Sequence, residues 1–161
     1  MVDMVPKRGK YKFRSGESLI EVMLSVTILS MIVLGSAGYR YHAALDAKKA
    51  VLSTNSSRIA LLLCESWRGI AGDETYDPGV HLGEQLSITE EDGPDAPADF
   101  TSIGSYEIDS QGTGYFATLS WKDLDTGLRA LNVTVAWSSQ DDADDEDDTD
   151  KSITLTSYTA N

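Results

Sequence analysis

Cysteine, histidine and proline are scarce in this 161-residue chain, and each scarcity excludes something. Cys64 stands alone, so no intramolecular disulfide, paired-cysteine redox motif or thiolate zinc cluster can form. His42 and His81 are the only histidines, and two isolated residues make neither a catalytic triad nor a metal cluster. Ser120, Ser138 and Ser139 do not sit in a G-x-S-x-G turn, and no glycine-rich phosphate loop occurs. We therefore expect no catalytic residues, no enzyme activity and no cofactor.

Basic charge is scarce as well, and it is unevenly placed. Lys7, Arg8, Lys10, Lys12 and Arg14 against Asp3 give the first sixteen residues +4, so the rest of the chain carries −17 of a total −13. Such a surplus repels nucleic acid and anionic lipid head groups, and no nucleic-acid partner is expected. With 41% hydrophobic residues, the length allows one modest folded domain beside a membrane segment.

What is present decides more. Residues 19–38 read LIEVMLSVTILSMIVLGSAG, long enough as a helix to cross a hydrocarbon layer of about 30 Å. The basic cluster before this stretch places the amino-terminal side in the cytoplasm and everything past about Arg40 outside. The stretch fits a cleaved secretory signal, a signal anchor, or a leader followed by a retained helix. Gly35, Ser36, Ala37 and Gly38 are small enough for a signal-type cut. Glu21 is what that alternative leaves unexplained, because a carboxylate inside a membrane helix costs roughly 2.5 to 3.5 kcal/mol and calls for a partner.

Residues 16–21, GESLIE, follow a basic leader and precede the apolar run. They resemble the G-(F)-(T/S)-L-I-E processing motif of type IV prepilins and type II secretion pseudopilins. The resemblance implies that a prepilin peptidase cuts after Gly16, that Glu17 becomes the first mature residue with a methylated amine, and that Glu21, then fifth, pairs with the amino terminus of a neighbouring subunit. It further implies other pilin subunits as partners through the amino-terminal helix. Anchoring would be single-pass in a bacterial inner membrane, with the carboxy-terminal domain periplasmic and the subunit assembled into a filament. Two departures stand out: Glu17 replaces the usual phenylalanine, and the family's proline in the lower half of the helix is absent. The first, with the lack of a cysteine pair, points to a minor pilin or minor pseudopilin.

Tyr39 to Arg68 contains no proline and no glycine, so the helix should run on. Ala47, Val51, Asn55, Ile59, Leu62, Leu63 and Trp67 recur at three- and four-residue steps and mark the expected packing face. Its partner should be a sheet built from residues 115–121, 129–137 and 151–158. Leu131, Val133 and Val135 alternate there with Asn132, Thr134 and Ala136. Asp125 to Gly127 supplies a hairpin turn between the first two strands. Residues 69–105 hold three of the four prolines and read as loop, with a short strand at Gln85 to Thr89. Trp67, Tyr76, Phe100 and Tyr106 fit either core positions, the more common place for aromatics, or the subunit-specific contacts that the resemblance implies for this stretch, and Cys64 fits the core as a small hydrophobe.

The expected fold is α+β: a long amino-terminal helix, transmembrane in its first half, on a small antiparallel sheet, in the layout that the resemblance also implies. The organisation is a leader at 1–16, a membrane or filament-core helix at 17–38, an amphipathic continuation at 39–69, and an extracytoplasmic loop region and sheet at 70–161. An acidic loop at 139–150 joins the last two strands. Asp141, Asp142, Asp144 and Asp145 in that loop are weak calcium candidates, since oxygen ligands suit the ion but EF-hand spacing and its glycine are missing. Eight acidic residues among ten more often make a solvated, self-repelling loop. The expected function is a structural subunit of a type IV pilus or type II secretion filament. The alternative is an extracytoplasmic binding module, adhesin or calcium-binding, held by an uncleaved anchor.

Overall fold

A computed structural model describes residues 19–125, 127–138 and 150–160. The chain divides into two compact units, Met1–Ala44 and Leu45–Asn161. In the first unit, residues 19–44 are helical throughout and form the opening part of helix α1, Leu19–Gly69. Helix persists through Gly35 and Gly38, the positions where its intrinsic propensity is weakest.

The second unit is α+β. The part of α1 from Leu45 onward packs on an antiparallel sheet of five strands: β1 Ser87–Glu90, β2 Thr101–Ser110, β3 Thr113–Asp125, β4 Leu128–Trp137 and β5 Lys151–Ala160. A short helix α2, Pro78–Leu82, stands between α1 and β1, capped by the Asp77 side chain, which accepts from the Gly79 N–H at 2.8 Å. Sheet order follows chain order, each strand antiparallel to the next, so the sheet is a meander. At the β3–β4 turn Gly127 takes a φ of 87°, which only glycine adopts without steric cost.

Two sequence expectations are corrected here. The meander has five strands rather than three. β2 went unseen because Ser, Gly, Glu and Asp dilute its β signal. Pairing with β3, from Thr101↔Trp121 to Ser110↔Thr113 with an irregularity at Ser102/Gly104, is what makes it a strand. The packing face of α1 also differs. Leu52, Ser56, Ile59, Ala60, Leu63, Cys64 and Trp67 are buried, whereas Val51 is 56% exposed and Ala47 faces solvent. Ser56 allows this line because it is small and its hydroxyl donates to the Ser53 carbonyl at 3.0 Å, so its burial leaves no polar atom unpaired. Trp67 and Tyr76 are fully in the core, and Tyr106 packs against it.

The helix face of the sheet presents Leu119, Leu131, Val133, Val135 and Trp137 to α1. The opposite face is buried too, although it is made of Thr118, Ser120, Asn132 and Thr134. The connection from β1 to β2 accounts for part of this cover. A Cβ on Gly93 would lie 2.8 Å from Thr118 Oγ1 and 2.9 Å from Ser105 Cβ, and Asp99 reaches Lys122 at 3.6 Å. Next to it, cross-strand hydrogen bonds pair two of these side chains: Asn132 Nδ2 donates to Thr156 Oγ1 at 3.0 Å, and Thr134 and Thr154 hydroxyls meet at 3.2 Å, whereas the buried Ser120 hydroxyl has no hydrogen-bond partner among the described residues.

Helix α1 ends in a Schellman arrangement. The Gly72 N–H donates to the Trp67 carbonyl at 3.1 Å and the Ala71 N–H to the Arg68 carbonyl at 3.1 Å. Ala71 carries the left-handed φ of 58° at the position that glycine usually fills. Gly72 follows with a φ of 71°, and a Cβ there would meet Leu131 Cδ2 at 2.8 Å. Ala71→Gly should therefore relieve strain and stabilise the protein by about 0.5 to 1 kcal/mol. The readout is a rise in the denaturant midpoint with unchanged slope; a fall would mean that the Ala71 methyl contributes more than the left-handed backbone costs.

Candidate functional site

Two features stand out from the scaffold, one in each unit. In the first, every side chain from Leu19 to Leu34 is exposed, with Leu19 at 78% and Leu34 at 74%. An apolar surface of this extent is unfavourable in water and is compatible with a transmembrane segment. α1 is the one described helix long and apolar enough to cross a membrane, and it lies near the amino terminus.

The polar atoms of this stretch are handled in a way that suits hydrocarbon. Ser25, Thr27 and Ser30 each donate to the carbonyl four residues back, at Glu21, Met23 and Val26, all at 2.8 Å. Ser36 donates to the Val33 carbonyl at 3.0 Å. These hydroxyls therefore need no outside partner. Glu21 is different. Its carboxylate has no hydrogen-bond or ion-pair partner among the described residues, and its place in the first turn of α1 gives it only the favourable end of the helix dipole. Glu21 is thus the one side chain of the span whose polarity demands something from outside the helix.

In the second unit the outstanding residue is Arg129, which sequence reasoning missed. Its Nε donates to Asp123 Oδ1 at 2.8 Å and its Nη2 to Glu74 Oε1 at 2.9 Å and Asp123 Oδ2 at 3.2 Å. Nη1 donates to the Gly72 carbonyl at 3.0 Å, and the guanidinium lies 4.0 Å above the centre of the Trp121 ring. One buried cation thus ties the exit of α1 to the β3–β4 hairpin. Its signal was in the sequence: Arg129 continues the inward parity of Leu131, Val133 and Val135, so a charge was aimed at the core and had to be paired. The Arg129 hydrogen bonds hold the Asp123 carboxyl below the usual aspartate range, and Asp123 in turn raises Arg129.

Burial pushes the Cys64 thiol up, which disfavours the thiolate and agrees with a packing role. Among the described residues no three His, Cys, Asp or Glu side chains are grouped to hold a metal ion. Gly16, Glu17, Asp141, Asp142, Asp144 and Asp145 lie outside the described residues. No family model, curated protein or solved structure matches the chain.

Proposed function

We propose that this chain is a minor pilin-like or pseudopilin-like subunit. It is held in a bacterial inner membrane by α1 and assembled with related subunits into a type IV pilus or type II secretion filament. Glu21 carries the proposal: it is the one carboxylate of the exposed apolar stretch from Leu19 to Leu34, without a partner among the described residues, and it stands five residues past Gly16 in the GESLIE motif that follows a basic leader. In the membrane, lipid covers Leu19 to Leu34. In the filament, neighbouring helices replace lipid and a neighbour's amino terminus supplies the cation for Glu21. The action is mechanical, with the α+β unit outside the membrane and no bond made or broken apart from processing.

The test is amino-terminal sequencing and intact mass of the chain expressed with and without a prepilin peptidase. A peptidase-dependent start at Glu17, abolished in Gly16→Ala, is the expected result. An intact leader under both conditions, or a cut near Ala37, would replace the filament subunit with a signal-anchored or secreted binding module.

A further inference from the structure

The five-stranded sheet has two edges, and they differ. β1 is 4 residues long, ends on Glu90 and runs into Glu91, Asp92, Gly93 and Pro94. Short length, charge and proline are what keep a sheet edge from pairing further. β5 has none of these protections over its 10 residues. KSITLTSYTA contains no proline, no glycine and no carboxylate, its only charge is Lys151 at the start, and its register with β4 runs without a bulge from Lys151 to Ala160. Every second residue of such a strand aims its N–H and C=O away from β4, and among the described residues no strand pairs with that side.

The side chains of β5 add an independent sign. On the helix face Ile153 and Leu155 pack against the core yet stay only partly buried, whereas their β4 neighbours Val135 and Val133 are fully buried. A further strand would give the Ile153 and Leu155 row the second flank that β4 already has. On the other face Thr154, Thr156 and Tyr158 are exposed, Tyr158 at 58%, and all three are residue types that suit a strand packed between neighbours.

We propose that β5 takes up an extended segment of another protein as one more strand of the sheet. A second copy of this chain fits in none of the three possible ways. α1 and β5 run in the same sense, since Lys49 and Leu52 line one cavity with Lys151, Cys64 lies beside Ser157, and a Cβ on Gly72 would stand 2.9 Å from Thr159 Cγ2. Antiparallel pairing of two β5 strands therefore reverses one α1 against the other, which two copies held in one membrane from the same side cannot do; this step alone rests on the proposed anchoring. Parallel pairing about a two-fold along the strands sets the Ile153 and Leu155 row of one copy beside the Thr154 and Thr156 row of the other. Pairing with β1 of a second copy meets a short strand that ends in acidic residues. The −17 carried beyond residue 16 repels acidic segments of any protein. The occupant is thus a stretch free of carboxylates, with aliphatic or β-branched residues on the α1 side and small polar ones on the other, held by main-chain hydrogen bonds.

The test follows amide hydrogen exchange along β5 by NMR in the full-length chain in detergent micelles. The probe is a capped synthetic peptide with the sequence of residues 129–137, the strand that β5 already accepts on its other side and one without carboxylates. In the free chain alternate β5 amides should exchange fast and the rest slowly. Saturating peptide should slow the fast set about tenfold or more and leave the slow set unchanged. The same peptide N-methylated throughout keeps its side chains but loses its main-chain donors, and it should give no slowing. No slowing at saturating peptide, or equal slowing by the N-methylated form, would overturn the proposal. So would β5 amides that are all slow without peptide, which would mean that the chain itself or, where slowing rises with protein concentration, a second copy already covers the edge. None of these outcomes depends on where the leader is cut, so failure of the filament proposal and failure of this one are read separately.

Discussion

Glu21→Val is expected to leave membrane insertion intact and, on the proposed function, to keep the subunit out of the proposed filament. A valine at this position eliminates a carboxylate whose burial costs roughly 2.5 to 3.5 kcal/mol, so the variant should partition into the membrane at least as well as the parent. What it loses is the one side chain of the span that is not satisfied inside its own helix, since the Ser25, Thr27, Ser30 and Ser36 hydroxyls all bond back to carbonyls. If a neighbour's amine is the missing partner, the interaction matters only after assembly, and loss should be near complete rather than graded. Shear fractions of cells carrying the variant in place of the parent would report it, with membrane fractions as the loading control. Glu21→Gln should be nearly as defective, because an amide can hydrogen-bond but cannot neutralise an ammonium ion. Incorporation of Glu21→Val at parental levels would sink the proposed role of Glu21 while leaving membrane anchoring untouched.

Arg129→Met is the substitution from which we expect the largest loss of stability in the second unit. Asp123 and Glu74 are themselves about half exposed, with side chains at 46% and 55%, so both regain water when the guanidinium goes. The cost therefore comes from elsewhere: the Gly72 carbonyl loses its donor at the exit of α1, and the Trp121 ring loses the cation packed on it. Together these should amount to about 2 to 3 kcal/mol, below the full penalty of a doubly buried pair. A fall in melting temperature on the order of 10 °C would report that loss. Arg129→Lys should fall between, since one ammonium cannot reach the carbonyl and both carboxylates in the planar fork that arginine presents.

The same contact has a pH signature. Asp123 titrates lower in the folded chain than in the unfolded one, with the Arg129 hydrogen bonds as the main cause. Its contribution is therefore present above the usual aspartate value of about 3.9 and is lost as pH falls through the depressed folded value. Asp73, lowered by the Thr75 hydroxyl and N–H that both donate at 2.7 Å, adds to the same acid limb. In Arg129→Met the acid limb should flatten by the Asp123 share and keep most of the Asp73 share, which rests mainly on Thr75 and only slightly on the Arg129 charge. An unchanged limb would show that Asp123 is not held down by Arg129.

The long helix, the β3–β4 hairpin and the carboxy-terminal strand were all legible from residue order, because local periodicity and turn chemistry act over a few neighbours. Leu131, Val133 and Val135 announced their inward face by alternation, and the run from Leu19 to Gly38 announced a membrane-length helix by composition. The lone Glu21 inside that run was equally plain, and with it the question of a partner. These determinations need no knowledge of which segments meet.

Other features depended on what met what. Thr101–Ser110 is a strand only because β3 offers it a ladder, and Ser56 is buried only because a small residue lets α1 approach the sheet. Thr118 lost its exposure where the 91–100 segment crosses it at Gly93, which no alternation in β3 could signal. Arg129 belongs to both groups: its parity marked it as a charge facing inward, while its partners, the Gly72 carbonyl and Glu74, are more than fifty residues away. Solvent preference and turn geometry are written residue by residue, but the pairing of distant polar groups is a property of the closed fold, and it settles there because a buried polar atom left alone costs more than the contacts that bring it a partner.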